Sequence, residues 1–369
     1  MEDFHGRLLD TDSHLQIPPR EWDEALGPTF AGIIRSRIQQ SARATQILNP
    51  PEPAEPDPQN VWKLKMLAAA GATNATKRLR TLDLMGIEKQ MLFPMAVPAS
   101  MMLSAHPEAR EVARRHNDYV LEWAVSSAQR LRPVTVLNMF DRAEALAEAQ
   151  RVVAKGTYAV NIGCGRPPAG LSPADEAWEP LWALLEEAGV PVVLHIGGEY
   201  RFVDPAWGDT TNLRPGHTDE PLDGETVGPF SLAVTPFGPQ AFLAAMILDG
   251  VLERHPRLRI GVIEMTAQWV GPFAEMLDQK LIVFKRLSGI LSLKPSEYFS
   301  RQIRVTPFWW EPVGTYIERY GLDDVYVFST DFPHAEGGTE PLQRFWQSLA
   351  GHSDDVFEKF FVENAKLIL

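Results

Sequence analysis

Eight short β-branched or apolar runs alternate with stretches of helical period along this chain, and that alternation constrains the fold more than any other feature. The runs are Arg7-Leu8-Leu9, Gln90–Phe93, Pro133–Leu137, Tyr158–Ile162, Val190–His195, Leu258–Glu264, Gln302–Val305 and Val325–Ser329. Helices are predicted between them over Lys77–Gly86, Pro107–Leu131, Ala143–Lys155, Ala174–Ala188, Gln240–Arg254, Val270–Lys285 and Glu311–Tyr320, with one or two more before Leu369. Within Pro107–Leu131, the residues Val112, His116, Tyr119, Val120 and Trp123 recur at the spacing of one helix face. Strands alternating with helices imply parallel pairing through crossover helices, and eight such units predict an α/β fold of the (β/α)8 TIM-barrel type. A doubly wound sheet would carry a glycine-rich phosphate turn after its first strand. Asp10-Thr11-Asp12-Ser13-His14 stands there instead.

Two segments exceed the repeat. Between Arg20 and Asn74 a helix is predicted over Arg20–Leu48, followed by Pro50, Pro51, Pro53, Pro56 and Pro58, which lack the amide donors of regular structure. This reads as a helical and proline-rich excursion, about residues 20–74, inserted after strand 1 over one mouth of the barrel. A Gly/Pro-rich loop runs from Gly197 to about Pro236. The expectation is one barrel domain spanning residues 1–369.

Composition narrows the partners. A net charge of −13 without a Lys/Arg-rich stretch argues against nucleic acid and anionic membranes, which need a basic footprint, and leaves a small-molecule substrate as the expected partner. No apolar run is expected to approach the ~20 residues that span a bilayer. Met1-Glu2-Asp3-Phe4-His5 lacks the basic start and apolar core of a signal peptide. Cys164 is the single cysteine, which fits a reducing cytoplasm.

Polar groups sit where several of the runs end. Asp12 and His14 are two residues apart, so both point to one face at the exit of strand 1. An Asx-turn would account for Asp12 but not for the histidine. His195 ends Pro191-Val192-Val193-Leu194 and precedes two glycines that permit close approach. Glu264 ends Ile260-Gly261-Val262-Ile263, where a buried carboxylate is costly unless paired or metal-bound and the plain alternative is a surface salt bridge. Asp331 and His334 bracket Phe332-Pro333 in a stiff turn, with Glu336 as a reserve ligand. Carboxylates and imidazoles delivered from parallel strand ends converge on one point, where a divalent cation is the expected occupant. Trp269, Phe308, Trp309 and Trp310 follow strands six and seven and would line a pocket or pack under a helix; Trp269 and Trp309 are the substrate-facing candidates. Arg166 and Arg201 follow strands four and five, and Arg201 is the candidate for a substrate carboxylate.

These residues carry a resemblance. Asp10 through His14, Pro191 through His195, Gly250 through Leu258, Glu264 through Val270, Ser329 through His334 and Glu363-Asn364-Ala365 together resemble the amidohydrolase-related family of aminocarboxymuconate-semialdehyde decarboxylase, γ-resorcylate decarboxylase and 4-oxalomesaconate-type hydratases. The resemblance implies a (β/α)8 barrel with one metal, Zn or Mn, held by Asp12, His14, His195 and Asp331. The leading expectation is a metal-dependent lyase or hydrolase acting on a small carboxylated substrate by decarboxylation or hydrolysis, with Glu264, His334 and Asp331 as the catalytic group. Two departures open alternatives. Family decarboxylases commonly carry His or Glu where Asp12 stands and a histidine where Glu264 stands, and strand four offers no bridging lysine. The full inventory of Asp12, His14, His195, Glu264, Asp331 and His334 suffices for two metals and resembles a minority branch of dinuclear Fe/Mn or Fe/Fe oxygenases that includes a 2-aminoisobutyrate hydroxylase. The other alternative is a non-catalytic partner subunit, and a homo- or hetero-oligomer with a related chain is expected.

Overall fold

The computed structural model describes residues 2–39, 45, 48–50, 52–197, 202–213 and 228–369. Among these residues seven strands pair in parallel and in chain order: β1 (Leu8–Asp10), β2 (Ile87–Leu92), β3 (Leu131–Val136), β4 (Ala159–Asn161), β5 (Val192–His195), β6 (Ile260–Ile263) and β7 (Ile303–Val305). The predicted eighth run closes the ring without forming a regular strand. Val325 accepts from the Val305 amide at 2.9 Å and Val327 donates back at 3.1 Å, while Phe328 accepts from Thr11 at 3.2 Å on the β1 side. Because β7 is only three residues long, Tyr326 pairs with Val305 as a single bridge. The architecture is therefore the expected α/β barrel.

Strand parity separates the two sides of the wall. Met91, Phe93, Val134, Ala159, Val193 and Ile263 form one inner cluster with Ile368 from the C-terminal turn. Their neighbours Leu92, Val160, Val192, Leu194, Ile260 and Val262 join the larger core beneath the helices. Helix starts and stops follow from local chemistry. The helix Ala75–Met85 begins at Asn74, whose side chain accepts from the Lys77 amide, and ends at Gly86 in the left-handed region.

Several expected boundaries move. The helix foreseen over Arg20–Leu48 breaks at Gly27 (φ 84°) and restarts at Pro28, giving Trp22–Leu26 and Pro28–Gln39. Pro107–Leu131 shortens to Ala109–Ala124, because Ala128 and Gln129 adopt positive φ before β3. Gln240–Arg254 divides at Gly250 (φ 75°). Pro229–Leu248 spans 20 residues at mean hydropathy 1.5, longer than the apolar runs anticipated from sequence, and half of it is buried in the fold. Phe242, Leu243, Met246 and Ile247 supply its core face. The excursion after β1 packs Leu15, Ile17, Trp22, Leu26, Phe30 and Ile34 against Met102, Val112, Val120 and Val136, a second apolar cluster beside the barrel mouth.

Candidate metal centre

The C-terminal strand ends bring all six predicted donors together. Past β1, Asp12 and His14 share a face while Ser13 between them turns away to donate to the Met91 carbonyl at 2.6 Å. The His14 amide donates to Phe332 (2.7 Å), and the Asp331 amide donates to the Asp12 carbonyl (2.8 Å), locking the first and eighth exits together. His195 is the last residue of β5. Glu264 and Asp331 stand at φ 58° and 50°, an uncommon conformation for residues other than glycine. The Glu264 turn is held by its amide donating to Thr306 Oγ1 at 2.7 Å.

Three overlapping groups result: Asp12, His14 and His195; His14, Asp331 and His334; and Asp12, Glu264 and Asp331, each with its ligand atoms within 4.8 Å of one another. His14 Nε2 lies 3.2 Å from Asp331 and 3.6 Å from Asp12; His195 Nε2 lies 3.4 Å from Asp12 and 3.3 Å from Glu264; His334 Nδ1 lies 3.1 Å from Asp331. The His14 ring stacks on His334 at 3.8 Å, and Phe93 packs on His195 at 4.3 Å. Glu264 is only 9% exposed, which removes the surface salt bridge as its explanation.

Tautomers follow from the partners. His14 Nδ1 is 3.0 Å from the Pro94 carbonyl and His195 Nδ1 is 3.0 Å from the Ile196 carbonyl. A carbonyl only accepts, so each Nδ1 carries hydrogen and each neutral ring turns an Nε2 lone pair toward the carboxylates. Despite their proximity, His14 Nε2 and both Asp331 carboxylate oxygens make no hydrogen bond although buried. Lone pairs and anions so arranged repel unless a cation lies among them, and this donor set fits a divalent ion.

The electrostatics favour a neutral His14 and show the carboxylates drawing positive charge to the other two rings. Burial, with the neighbouring His334, lowers His14 to about 4. Burial opposes charge on Asp331, yet His334 and His14 outweigh it and hold this carboxyl well below the usual range. For His195 and His334 burial again opposes charge, and Asp12 and Asp331 respectively outweigh it, raising both.

The other candidates divide. Trp309 lines a narrow cleft with Asp12, Glu264, Phe308 and Asp331, and its indole donates to the Glu336 carbonyl at 2.7 Å. Trp269 does not share that lining: it packs in the core against Phe273, its indole donating to the Met265 and Thr266 carbonyls, so helix packing replaces the expected pocket role. Trp310 is exposed and stacks on Phe308, and Arg166 is exposed. Arg201 lies outside the described residues.

Sequence reasoning missed a buried polar layer. Asp10, pushed up to about 7 by burial, accepts from Gln90, Thr330 and the Asp12 amide. Glu311 accepts from the amides of Ala267, Gln268 and Phe308, tying the β6 and β7 exits. Lys65, from the excursion, donates to the Gly338 carbonyl, and burial lowers it to about 8 against the pull of Asp331 and Glu336. Asp10 was legible by parity, since Asp10, Asp12 and His14 alternate. Lys65 carries no local signal.

Known structures share this architecture. The chain aligns with an amidohydrolase from Mycobacterium avium subsp. paratuberculosis K-10 at TM-score 0.72 and 20% identity, covering 98% of this chain and 99% of that one. A 5-carboxyvanillate decarboxylase from Novosphingobium aromaticivorans, complexed with manganese and 4-hydroxy-3-methoxy-5-nitrobenzoic acid, aligns at 0.63 and 18%, covering 99% and 96%. A dihydroxybenzoic acid decarboxylase from Polaromonas sp. JS666, with manganese and the inhibitor 2-nitroresorcinol, aligns at 0.61 and 19%, covering 98% and 96%. At these identities the likeness is one of fold. No curated protein matches the sequence significantly. The sequence does match the amidohydrolase family Amidohydro_2 over residues 89–369, well over half of its length, and the chain therefore belongs to that family.

Proposed function

We propose that this protein is a metal-dependent lyase or hydrolase acting on a small carboxylated substrate. One observation carries the reading: two imidazoles whose Nδ1–H groups are spent on carbonyls turn their Nε2 atoms toward three buried carboxylates. Asp12, His14, His195 and Asp331 would hold one divalent ion, Mn or Zn. When bound, such an ion supplies Lewis-acid polarisation of a substrate oxygen or of water. Glu264, with its carboxylate 3.3 Å from His195, and His334, paired with Asp331, take and return protons at the reacting centre. Asp331 orients His334 from one carboxylate oxygen. Trp309, which shares a cleft lining with Asp12, Glu264 and Asp331, is the substrate-facing side chain. The benzoic acid ligand of the manganese-bound 5-carboxyvanillate decarboxylase supports the substrate class.

Glu264→Gln tests the assignment. With a mononuclear site and Glu264 as a proton-transfer group, metal content stays at wild-type level and the rate falls by roughly 10²- to 10⁴-fold. Unchanged metal and unchanged rate would return Glu264 to a structural ion pair with His195. Metal analysis of protein purified without added metal is the companion measurement. Sub-stoichiometric transition metal with no rescue by Zn, Mn or Fe would remove the reading altogether.

A second reading rests on the sharing of Asp12, His14 and Asp331 between overlapping ligand groups, which leaves enough donors for two ions, Fe/Mn or Fe/Fe, and an oxygenase. There Glu264→Gln lowers occupancy from two metals toward one and ends oxygen uptake. Turnover under anaerobic conditions without an external oxidant excludes it. We further place the enzyme in the cytoplasm, in line with its single buried cysteine, and in an oligomer, in line with exposed Ile282 and Val283 at the end of the helix Val270–Val283. Sedimentation of the purified chain as a monomer would exclude the homo-oligomer.

A further inference from the structure

Directly behind the donors lies a guanidinium with no solvent exposure. Arg78 stands on the buried face of the helix Ala75–Met85, in line with Leu82 and Met85, where an apolar residue would be expected. Its Nε donates to the Gly71 carbonyl (2.9 Å), one terminal nitrogen to Gln90 Oε1 (2.8 Å) and the other to the His14 carbonyl (2.7 Å), and its plane lies 4.7 Å from the Phe332 ring centroid. The fork continues through Gln90, whose amide nitrogen donates to Asp10 at 2.7 Å. Asp10 in turn accepts from the Asp12 amide (3.2 Å) and from the Thr330 amide (2.9 Å) and hydroxyl (2.6 Å). Past Gln90 and the Asp10 carboxylate, the network meets the first and eighth segments at the His14 carbonyl, the Asp12 amide and Thr330, the residue before Asp331.

Burying a guanidinium is expensive, and well-packed apolar side chains usually replace a buried ion at little cost to stability. Three rigid donors aimed at fixed acceptors do what an apolar side chain cannot: they set where those acceptors stand. We propose that Arg78 is the positioning residue of the metal centre. Through His14 directly, and through Gln90 and Asp10 to Asp12 and Thr330, it fixes the spacing of the first-strand and eighth-strand ligands. Through Gly71 it ties the excursion to that spacing. This inference rests on the metal reading proposed above.

A second buried arginine supplies the control. Arg304 on β7 donates to the carbonyls of Asn364, Ser300 and Ile303 and bonds none of the six donors. The experiment titrates Mn(II) into wild type, Arg78→Met, Arg78→Lys and Arg304→Met, recording the Mn(II) Kd, the EPR line shape of the bound ion and the urea midpoint of each. Both Met variants lose stability, because each leaves buried carbonyl acceptors without a donor whatever the packing of the new side chain. Only the Arg78 variants weaken Mn(II), by roughly 10- to 100-fold, the usual cost of losing an outer-shell partner, and only they change the EPR line shape. Should Arg78→Met fail to fold, Arg78→Lys decides, because an ammonium keeps the charge but cannot span three acceptors. Wild-type affinity and line shape in a folded Arg78 variant would overturn the proposal, as would equal weakening by Arg304→Met. Failure of wild type itself to bind Mn(II), Zn(II) or Fe(II) refutes the metal reading and this inference with it, and is told apart because it appears without any substitution.

Discussion

Replacing His116 by leucine should stabilise the protein, and by more in mild acid than at neutrality. His116 lies on the buried face of the helix Ala109–Ala124, 1% exposed, and neither ring nitrogen has a hydrogen-bond partner. Burial pushes its pKa down from 6.5 to about 4. A folded-state value below the unfolded one means that the unfolded chain takes up the proton first. Stability is therefore complete above 6.5 and is lost progressively as the pH falls toward about 4. Between about pH 8 and about pH 5 this linkage removes about 2 kcal/mol from wild type and nothing from His116→Leu. Removing an unpaired buried donor and acceptor adds a pH-independent gain of about 1–3 kcal/mol, less any packing misfit of the branched side chain. Urea unfolding of both proteins across this range separates the two contributions. Every other titrating group is common to both, so the pH slope of the difference belongs to His116 and the constant offset to packing. A difference that stays flat across the range would falsify the titration argument, whatever its offset.

Two further outcomes can be checked directly. His195→Ala should abolish activity and deplete bound metal while leaving far-UV circular dichroism intact, at a folding cost of about 0.5–3 kcal/mol, because a strand-end ligand serves the site more than the core; normal metal content and turnover would make His195 structural. Glu311→Gln should cost about 2–4 kcal/mol in urea unfolding, since a carboxamide cannot accept at both oxygen positions from the amides of Ala267, Gln268 and Phe308. A loss within about 0.5 kcal/mol, the range of ordinary surface substitutions, would show that those amides have other partners.

The legibility of the site in the sequence varied with the distance over which each cause acts. Asp12, His14 and His195 were readable because a strand alternates its faces and ends in a local turn, both properties of a few consecutive residues. Glu264 and Asp331 were readable by position, although their positive φ was not. Trp269 and Trp309 looked alike, since both are aromatic residues after a strand, and only packing separated the core indole from the one at the cleft. Arg78 left a local trace, a lone cation among Thr81, Leu82 and Met85 on one helix face, but its partners Gly71, Gln90 and His14 come from three other segments.

By itself the sequence determined the barrel and the chemistry of its mouth, because strand and helix periods are short-range properties and eight of them in alternation leave few ways to bury a core. It also determined which side-chain types reach the mouth. Only the tertiary structure decided which nitrogen of His14 and His195 faces the carboxylates, since that follows from the Pro94 and Ile196 carbonyls behind the rings. It alone brought Lys65 from the excursion to the eighth-strand loop and set Arg78 beneath His14. All but the His195–Ile196 contact join segments far apart in the chain, and their cost or benefit exists only once water has been excluded around them.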